Sequence, residues 1–219
     1  MEIYISPQKN MIKKQDQTIE GKKLPLVEDF FSIQGEGYHT GKPAYFVRLG
    51  GCDIGCSWCD SADTWNPEKY PLVNTDDIVE RIVSSGSDSV VITGGEPLMW
   101  NLDYLCSQLT KCNIDAFLET SGVHRLTGKW HWICLSPKRN MKPVDEICKL
   151  ADELKVVIQE KIDFGWAEKI RCQVKENCKL FLQPEWNSFG KIIPEIVAYV
   201  KKNNVWRISL QAHKYMNIP

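Results

Sequence analysis

The chain has 219 residues, 43% of them hydrophobic, with 27 basic and 28 acidic side chains and a formal net charge of −1. That length suits one domain with a sizeable core and falls short of the about 250 residues of a complete eightfold β/α barrel. The balanced charge excludes the electrostatic footprint of a nucleic-acid or membrane-surface binder. No apolar run approaches the roughly 20 residues of a membrane helix, and the Lys-dotted N-terminus lacks the apolar core of a signal peptide. The expectation is a cytoplasmic protein with no membrane and no nucleic-acid partner.

In chain order, residues 1–24 are polar and weakly periodic and read as an N-terminal extension; residues 25–219 read as a single domain. Ala44–Leu49, Ser89–Thr93, Ile114–Thr120, His131–Leu135, Leu154–Ile158, Lys179–Gln183 and Trp206–Gln211 are short runs rich in β-branched and aromatic residues, which predicts buried strands. A helix is predicted from an N-cap at Thr75, through Asp76 and Asp77 and the apolar Ile78, Val79, Ile82 and Val83, to near Gly86. Leu98 to about Cys112, Phe164–Glu176 and Lys191–Lys202 are further helices. Alternation of strand and helix predicts a parallel sheet. The gaps after Thr120 and Leu135 are short for a crossover helix. The fold class is therefore α/β, an incomplete parallel β/α barrel with fewer helices than strands. Polar, Gly- and Pro-punctuated segments follow six of the strands, at the ends where barrel active sites assemble.

Nine cysteines is a high, odd count without the spacing of a disulfide framework. Cys52, Cys56 and Cys59 form C-x3-C-x2-C. Thiolates are soft ligands that suit iron–sulfur clusters and zinc. With no fourth cysteine nearby, a [4Fe–4S] cluster here would keep one iron free for a small molecule. A zinc site would need a distant fourth ligand such as Cys172, Cys178 or His39. Cys106, Cys112, Cys134, Cys148, Cys172 and Cys178 fall in helix or strand patterns and read as small buried hydrophobes. Trp65, Trp100, Trp130 and Trp132 read as core or interface aromatics. His39, His124 and His131 read as ordinary loop or strand histidines.

The cysteine spacing, with Trp58 beside the last thiol and Gly94-Gly95-Glu96 one strand later, resembles the radical S-adenosylmethionine superfamily. The resemblance implies a cluster whose open iron chelates S-adenosylmethionine, and a 5′-deoxyadenosyl radical released on reduction. It also implies that Gly94, Gly95 and Glu96 meet the methionine amino group. Upstream, Ser32-Ile33-Gln34-Gly35-Glu36-Gly37 offers donors, acceptors and close backbone approach, and Arg48 a planar fork for a carboxylate. Together with F-V-R-L-x-G-C, W-C-D-S and T-G-G-E-P, these motifs resemble the 7-carboxy-7-deazaguanine synthase family from about Leu24 onward.

That family resemblance implies a lyase of 7-deazapurine (queuosine) biosynthesis, converting 6-carboxy-5,6,7,8-tetrahydropterin to 7-carboxy-7-deazaguanine plus ammonia. It implies Ile33, Gln34, Gly35, Glu36, Arg48, Thr93 and the terminal Pro219 against the substrate. It implies Trp58, Cys59, Asp60, Gly94, Gly95, Glu96, Ser136, Pro137, Lys138 and Gln183 along S-adenosylmethionine. Ser61 stands where the family has a magnesium-ligating Thr. A homodimer and an electron donor such as flavodoxin or ferredoxin are also implied. His213 and Lys214 line the pocket or orient the tail. Two other readings stay open: a glycyl-radical activase of the same superfamily, which has no reason to carry Gln34-Gly35-Glu36 beside Arg48, and a non-catalytic zinc- or cluster-binding module.

Overall fold

The computed structural model describes residues 18–219. They form one nine-stranded sheet in the order β3-β1-β2-β4-β5-β6-β7-β8-β9. Its strands are β1 (Lys23–Ile33), β2 (Pro43–Leu49), β3 (Leu72–Asn74), β4 (Ser89–Gly94), β5 (Asp115–Thr120), β6 (Trp132–Leu135), β7 (Glu153–Ile158), β8 (Lys179–Pro184) and β9 (Trp206–Ile208). From β2 through β9 every neighbour in this order is parallel; β1 alone runs antiparallel, to both β2 and β3. Six helices follow or separate the strands among the described residues: α1 (Thr75–Ser84), α2 (Asp103–Lys111), α3 (Asp145–Leu150), α4 (Ile162–Arg171), α5 (Phe189–Lys202) and α6 (Ala212–Met216). The expected incomplete barrel, short of helices, is therefore present. No helix joins β5 to β6, and only the six-residue α3 lies between β6 and β7.

Alternation along the strands gives the sheet two different faces. Val90 and Ile92 of β4, Leu118 of β5, and Leu154 and Val156 of β7 point outward into the main core. There they meet Ile78 and Ile82 of α1 and Leu105 and Leu109 of α2. On the inner face, Ala44, Val91 and Phe117 pack with Phe46 and Trp132 as a small apolar plug. One pleat further along, Arg48 of β2, Thr93 of β4 and Glu119 of β5 are polar, and they line the cavity described below.

The sheet edges are drawn together by the β1–β2 loop. Ala212 N donates to Gly35 O at 2.8 Å, Gly37 N to Ser209 Oγ at 2.9 Å, and Tyr38 N to Glu153 Oε2 at 3.2 Å. One loop thus touches β7 and the segment beyond β9.

Several expectations shift. Residues 1–17 of the expected extension lie outside the described residues, and Leu24 is fully buried within β1. No strand was expected at β1, because Glu28 and Asp29 mask its alternation; these carboxylates pair with Arg48 and Arg81. Thr75 opens α1 rather than capping it, since its hydroxyl is buried and donates to Gly21 O at 2.7 Å. The helix expected from Leu98 starts at Asp103. Before it, Pro97–Met99 makes a short 3-10 turn and Trp100 Nε1 donates to Gly50 O at 2.8 Å. The last strand stops at Ile208, because Gln211 already opens α6. Cys112 and Cys172 are exposed, at helix ends, unlike the buried Cys106, Cys134, Cys148 and Cys178.

Candidate active site

The cysteine loop leaves the C-terminal end of β2 and is held at its root by main-chain bonds. Gly51 N donates to Thr64 O at 2.7 Å and Cys52 N to Trp65 O at 3.1 Å. From the end of β4, Gly95 N reaches Leu49 O at 3.0 Å and Glu96 N reaches Gly51 O at 2.7 Å. This explains the glycine pair physically. Gly94 adopts φ +146°, and a Cβ on Gly95 would lie 2.3 Å from Gly51 O, so any side chain would push the loop off its seat. Two further ties reach the loop from neighbouring connections: His124 Nε2 meets Asp53 Oδ1 at 3.0 Å, and Asn140 Nδ2 donates to Ile54 O at 2.6 Å.

Cys52, Cys56 and Cys59 are free, partly exposed thiols that line one cavity of about 550 Å³. Among the described residues, no three His, Cys, Asp or Glu side chains converge on a single-ion site. The distant zinc-ligand candidates are elsewhere. His39 stacks on Phe117, Cys178 is buried in the main core, and Cys172 is exposed; none of the three lines the cavity with the loop. A soft, all-thiolate donor set spread along one cavity wall fits a polynuclear iron–sulfur cluster and leaves a structural zinc without its fourth ligand.

Glu96 is 1% exposed, and its own chain uses both carboxylate oxygens. Oε1 accepts from Leu98 N (3.1 Å) and Thr120 Oγ1 (2.6 Å); Oε2 accepts from Ser121 N (2.8 Å) and Ser121 Oγ (2.5 Å). A carboxylate has about four acceptor sites, and all are filled. Ser136 and Lys138 line the cavity, whereas Pro137 between them does not. Lys138 Nζ donates to Ser136 O and Oγ, each at 2.7 Å, and sits over the Trp58 ring at 5.5 Å. Burial pushes its amine below the usual lysine range. Ser61 lines the cavity with its Oγ 3.6 Å from Cys59 Sγ, and Asp60 accepts from Lys214 at 3.1 Å and Gln211 at 3.3 Å.

A second part of the wall is ionic. Glu36 Oε2 accepts from Lys155 Nζ at 2.5 Å and its Oε1 from Gln211 Nε2 at 2.9 Å. Burial alone would raise the Glu36 carboxyl; the Lys155 charge and these hydrogen bonds outweigh it and hold it at about 2. Gln34 Nε2 donates to Glu119 Oε1 at 3.0 Å, and Gln34 Oε1 accepts from Glu36 N at 3.0 Å. Arg48 Nε donates to Glu28 Oε1 at 2.8 Å. Ile33, Gly35, Thr93, Gln183 and Pro219 also line the cavity; Ser32 Oγ donates to Pro219 O at 3.1 Å. Gly35 is packed against His213, where a Cβ would collide with Nδ1 of the imidazole. His213 and Lys214 both line the cavity, and His213 O anchors the tail by accepting from Ile218 N. Trp65, read as a core aromatic, lines the cavity too.

Sequence reasoning missed Lys155 and placed Glu119 and Gln211 only among the polar segments at the strand ends, with no role of their own. A signal existed for two of them. In F-L-E-T and E-L-K-V a charge alternates with buried aliphatics, which places it on the inner face of a barrel strand.

A three-thiol loop at the strand ends of an open parallel barrel defines the radical S-adenosylmethionine class, and the "Radical SAM superfamily" family model matches residues 46–133. The chain is 50% identical to the 7-carboxy-7-deazaguanine synthase of Flavobacterium psychrophilum over 91% of its own length and 95% of that protein's. It is 43% identical to the Synechocystis enzyme of the same name over 89% and 93%. The crystal structure of QueE from Escherichia coli superposes with a TM-score of 0.75 at 30% identity, covering 89% of this chain and 97% of that one. The chain belongs to the 7-carboxy-7-deazaguanine synthase family.

Proposed function

We propose that the chain converts 6-carboxy-5,6,7,8-tetrahydropterin to 7-carboxy-7-deazaguanine with loss of ammonia, S-adenosylmethionine being regenerated. The observation that carries this reading is a single cavity shared by the cysteine loop and by Glu36, Arg48 and Thr93. An activase acting on a partner protein has no use for that second set.

Cys52, Cys56 and Cys59 hold a [4Fe–4S] cluster, which when loaded supplies one-electron cleavage of S-adenosylmethionine. Trp58, Asp60, Ser136, Lys138 and Gln183 line the S-adenosylmethionine side. Because the Glu96 carboxylate is fully engaged within the chain, its part is to fix the turn; the main chain of Gly94 and Gly95 is left to meet the methionine amine. Arg48 exchanges Glu28 for the substrate carboxylate, a planar fork well matched to it. Glu36, Gln34 and Thr93 read the polar ring edge, and Pro219 closes that side. Ser61 is a hard oxygen beside Cys59 and would be the magnesium ligand in this reading. A homodimer in the cytoplasm, reduced by flavodoxin or ferredoxin, and a single catalytic domain over residues 25–219 complete the proposal. No helix among the described residues is long and apolar enough to cross a membrane.

The test is anaerobic: iron and sulfide reconstitution, then S-adenosylmethionine, dithionite, magnesium and the carboxytetrahydropterin, with mass spectrometry of products. Deazaguanine product upholds the reading. Slow 5′-deoxyadenosine release without it rejects the substrate, and neither product from a verified cluster rejects the radical chemistry.

A further inference from the structure

Lys155 stands on the inner face of β7 with its side chain 4% exposed, lining the cavity. A buried ammonium is costly without anionic partners. It has two, from different parts of the chain: Glu36 Oε2 at 2.5 Å and Glu119 Oε1 at 3.7 Å. Gln34 bridges the same pair, donating to Glu119 and accepting from the Glu36 amide. Glu153, on the same strand face, is engaged elsewhere by Trp132 Nε1 and Tyr38 N.

The three charges leave one net negative charge at this part of the wall. Two neighbouring carboxylates in a largely buried wall repel each other, and a cation between them favours both staying ionised. Deprived of Lys155, one would take up a proton and turn from acceptor to donor, and the array would lose its match to a ring edge made of N–H groups.

We propose that Lys155 is a positioning residue for substrate recognition: it holds Glu36 and Glu119 together as a paired acceptor array that selects a donor-rich, guanidine-like ring edge. This rests on the pterin reading above, in which Glu36 faces the heterocycle.

The experiment uses the reconstituted full chain with S-adenosylmethionine under anaerobic conditions. Equilibrium dialysis measures binding of 6-carboxy-5,6,7,8-tetrahydropterin, while 5′-deoxyadenosine release without pterin and iron content report the cluster end. Lys155→Met weakens pterin binding about tenfold or more, the low end for a lost charge-assisted bond, in protein whose iron content is first matched to wild type. Adding Glu119→Gln to that variant removes the uncompensated charge while keeping an amide oxygen as acceptor at that position, and recovers most of the loss, which a lysine with a merely structural role does not predict. Unchanged binding in Lys155→Met, or a loss that Glu119→Gln does not recover, overturns the inference. Should Lys155→Met fail to retain its cluster, the double variant decides alone: binding within about tenfold of wild type upholds the inference and weaker binding overturns it. A wild-type chain that does not bind the pterin overturns the substrate reading and this inference with it.

Discussion

The cavity has two working regions built on different principles. The cysteine loop is nine residues of contiguous chain, Gly51 to Cys59, seated by main-chain hydrogen bonds to Thr64, Trp65 and Glu96, with its three thiols outside any disulfide. The ionic wall is drawn from the β1–β2 loop, β5, β7 and α6's N-cap, and its side chains are already paired with one another. In the reading proposed above, the region that accepts a prosthetic group keeps its thiols out of disulfides and rests on main-chain hydrogen bonds beneath them. A region that must recognise a polar molecule fixes its acceptors in advance, so that little reorganisation is left for the moment of binding.

That contrast can be broken by substitutions, ordered here by expected effect. Cys56→Ala removes one of three thiolates and drops S-adenosylmethionine cleavage below detection after reconstitution; residual 5′-deoxyadenosine would place the cluster on other ligands. Gly95→Ala forces a Cβ against Gly51 O, an overpacking cost of about 1–3 kcal/mol, and lowers both melting temperature and iron retained per chain. Arg48→Ala acts only on the recognition side. It raises the substrate Kd about 10–150-fold while cleavage of S-adenosylmethionine without substrate persists; unchanged affinity with lowered turnover would separate Arg48 from the carboxylate. Ser61→Ala abolishes the response of turnover to added magnesium and Ser61→Thr retains it, read by titrating the metal into a desalted enzyme. The smallest effect belongs to His124→Ala. This partly exposed tie to Asp53 contributes under about 1 kcal/mol, so its loss shows as modestly faster iron release and little change in turnover.

The same contrast explains what the sequence made legible. Metal ligation needs several soft donors close along the chain, so Cys52, Cys56 and Cys59 announce themselves. The glycines of Gly94-Gly95-Glu96 are equally visible, because close backbone packing tolerates no other residue. Apolar strands with outward-facing aliphatics, such as β4, were legible from periodicity and β-branching. The ionic wall was legible only in part: alternation could place Glu119 and Lys155 on the inner face, but their pairing appears only when β5 and β7 are brought together. β1 escaped notice for a related reason: Glu28 and Asp29 look like surface until Arg48 and Arg81 are seen beside them. The hydrogen bonds of the Glu96 carboxylate were not legible either, since nothing in Gly-Gly-Glu reveals that Thr120 and Ser121 will donate to it.

The β1–β2 loop carries Glu36 and also fastens Gly35 and Gly37 to the segment Ser209–Ala212 beyond β9. In the reading proposed above, barrel closure and recognition therefore share one seam. Amide hydrogens at Gly37 and Ala212 should exchange with solvent as a pair. A local opening at this seam would dismantle the recognition array while the aliphatic layer under the helices stayed intact, so on heating catalysis would be lost before the cooperative melt.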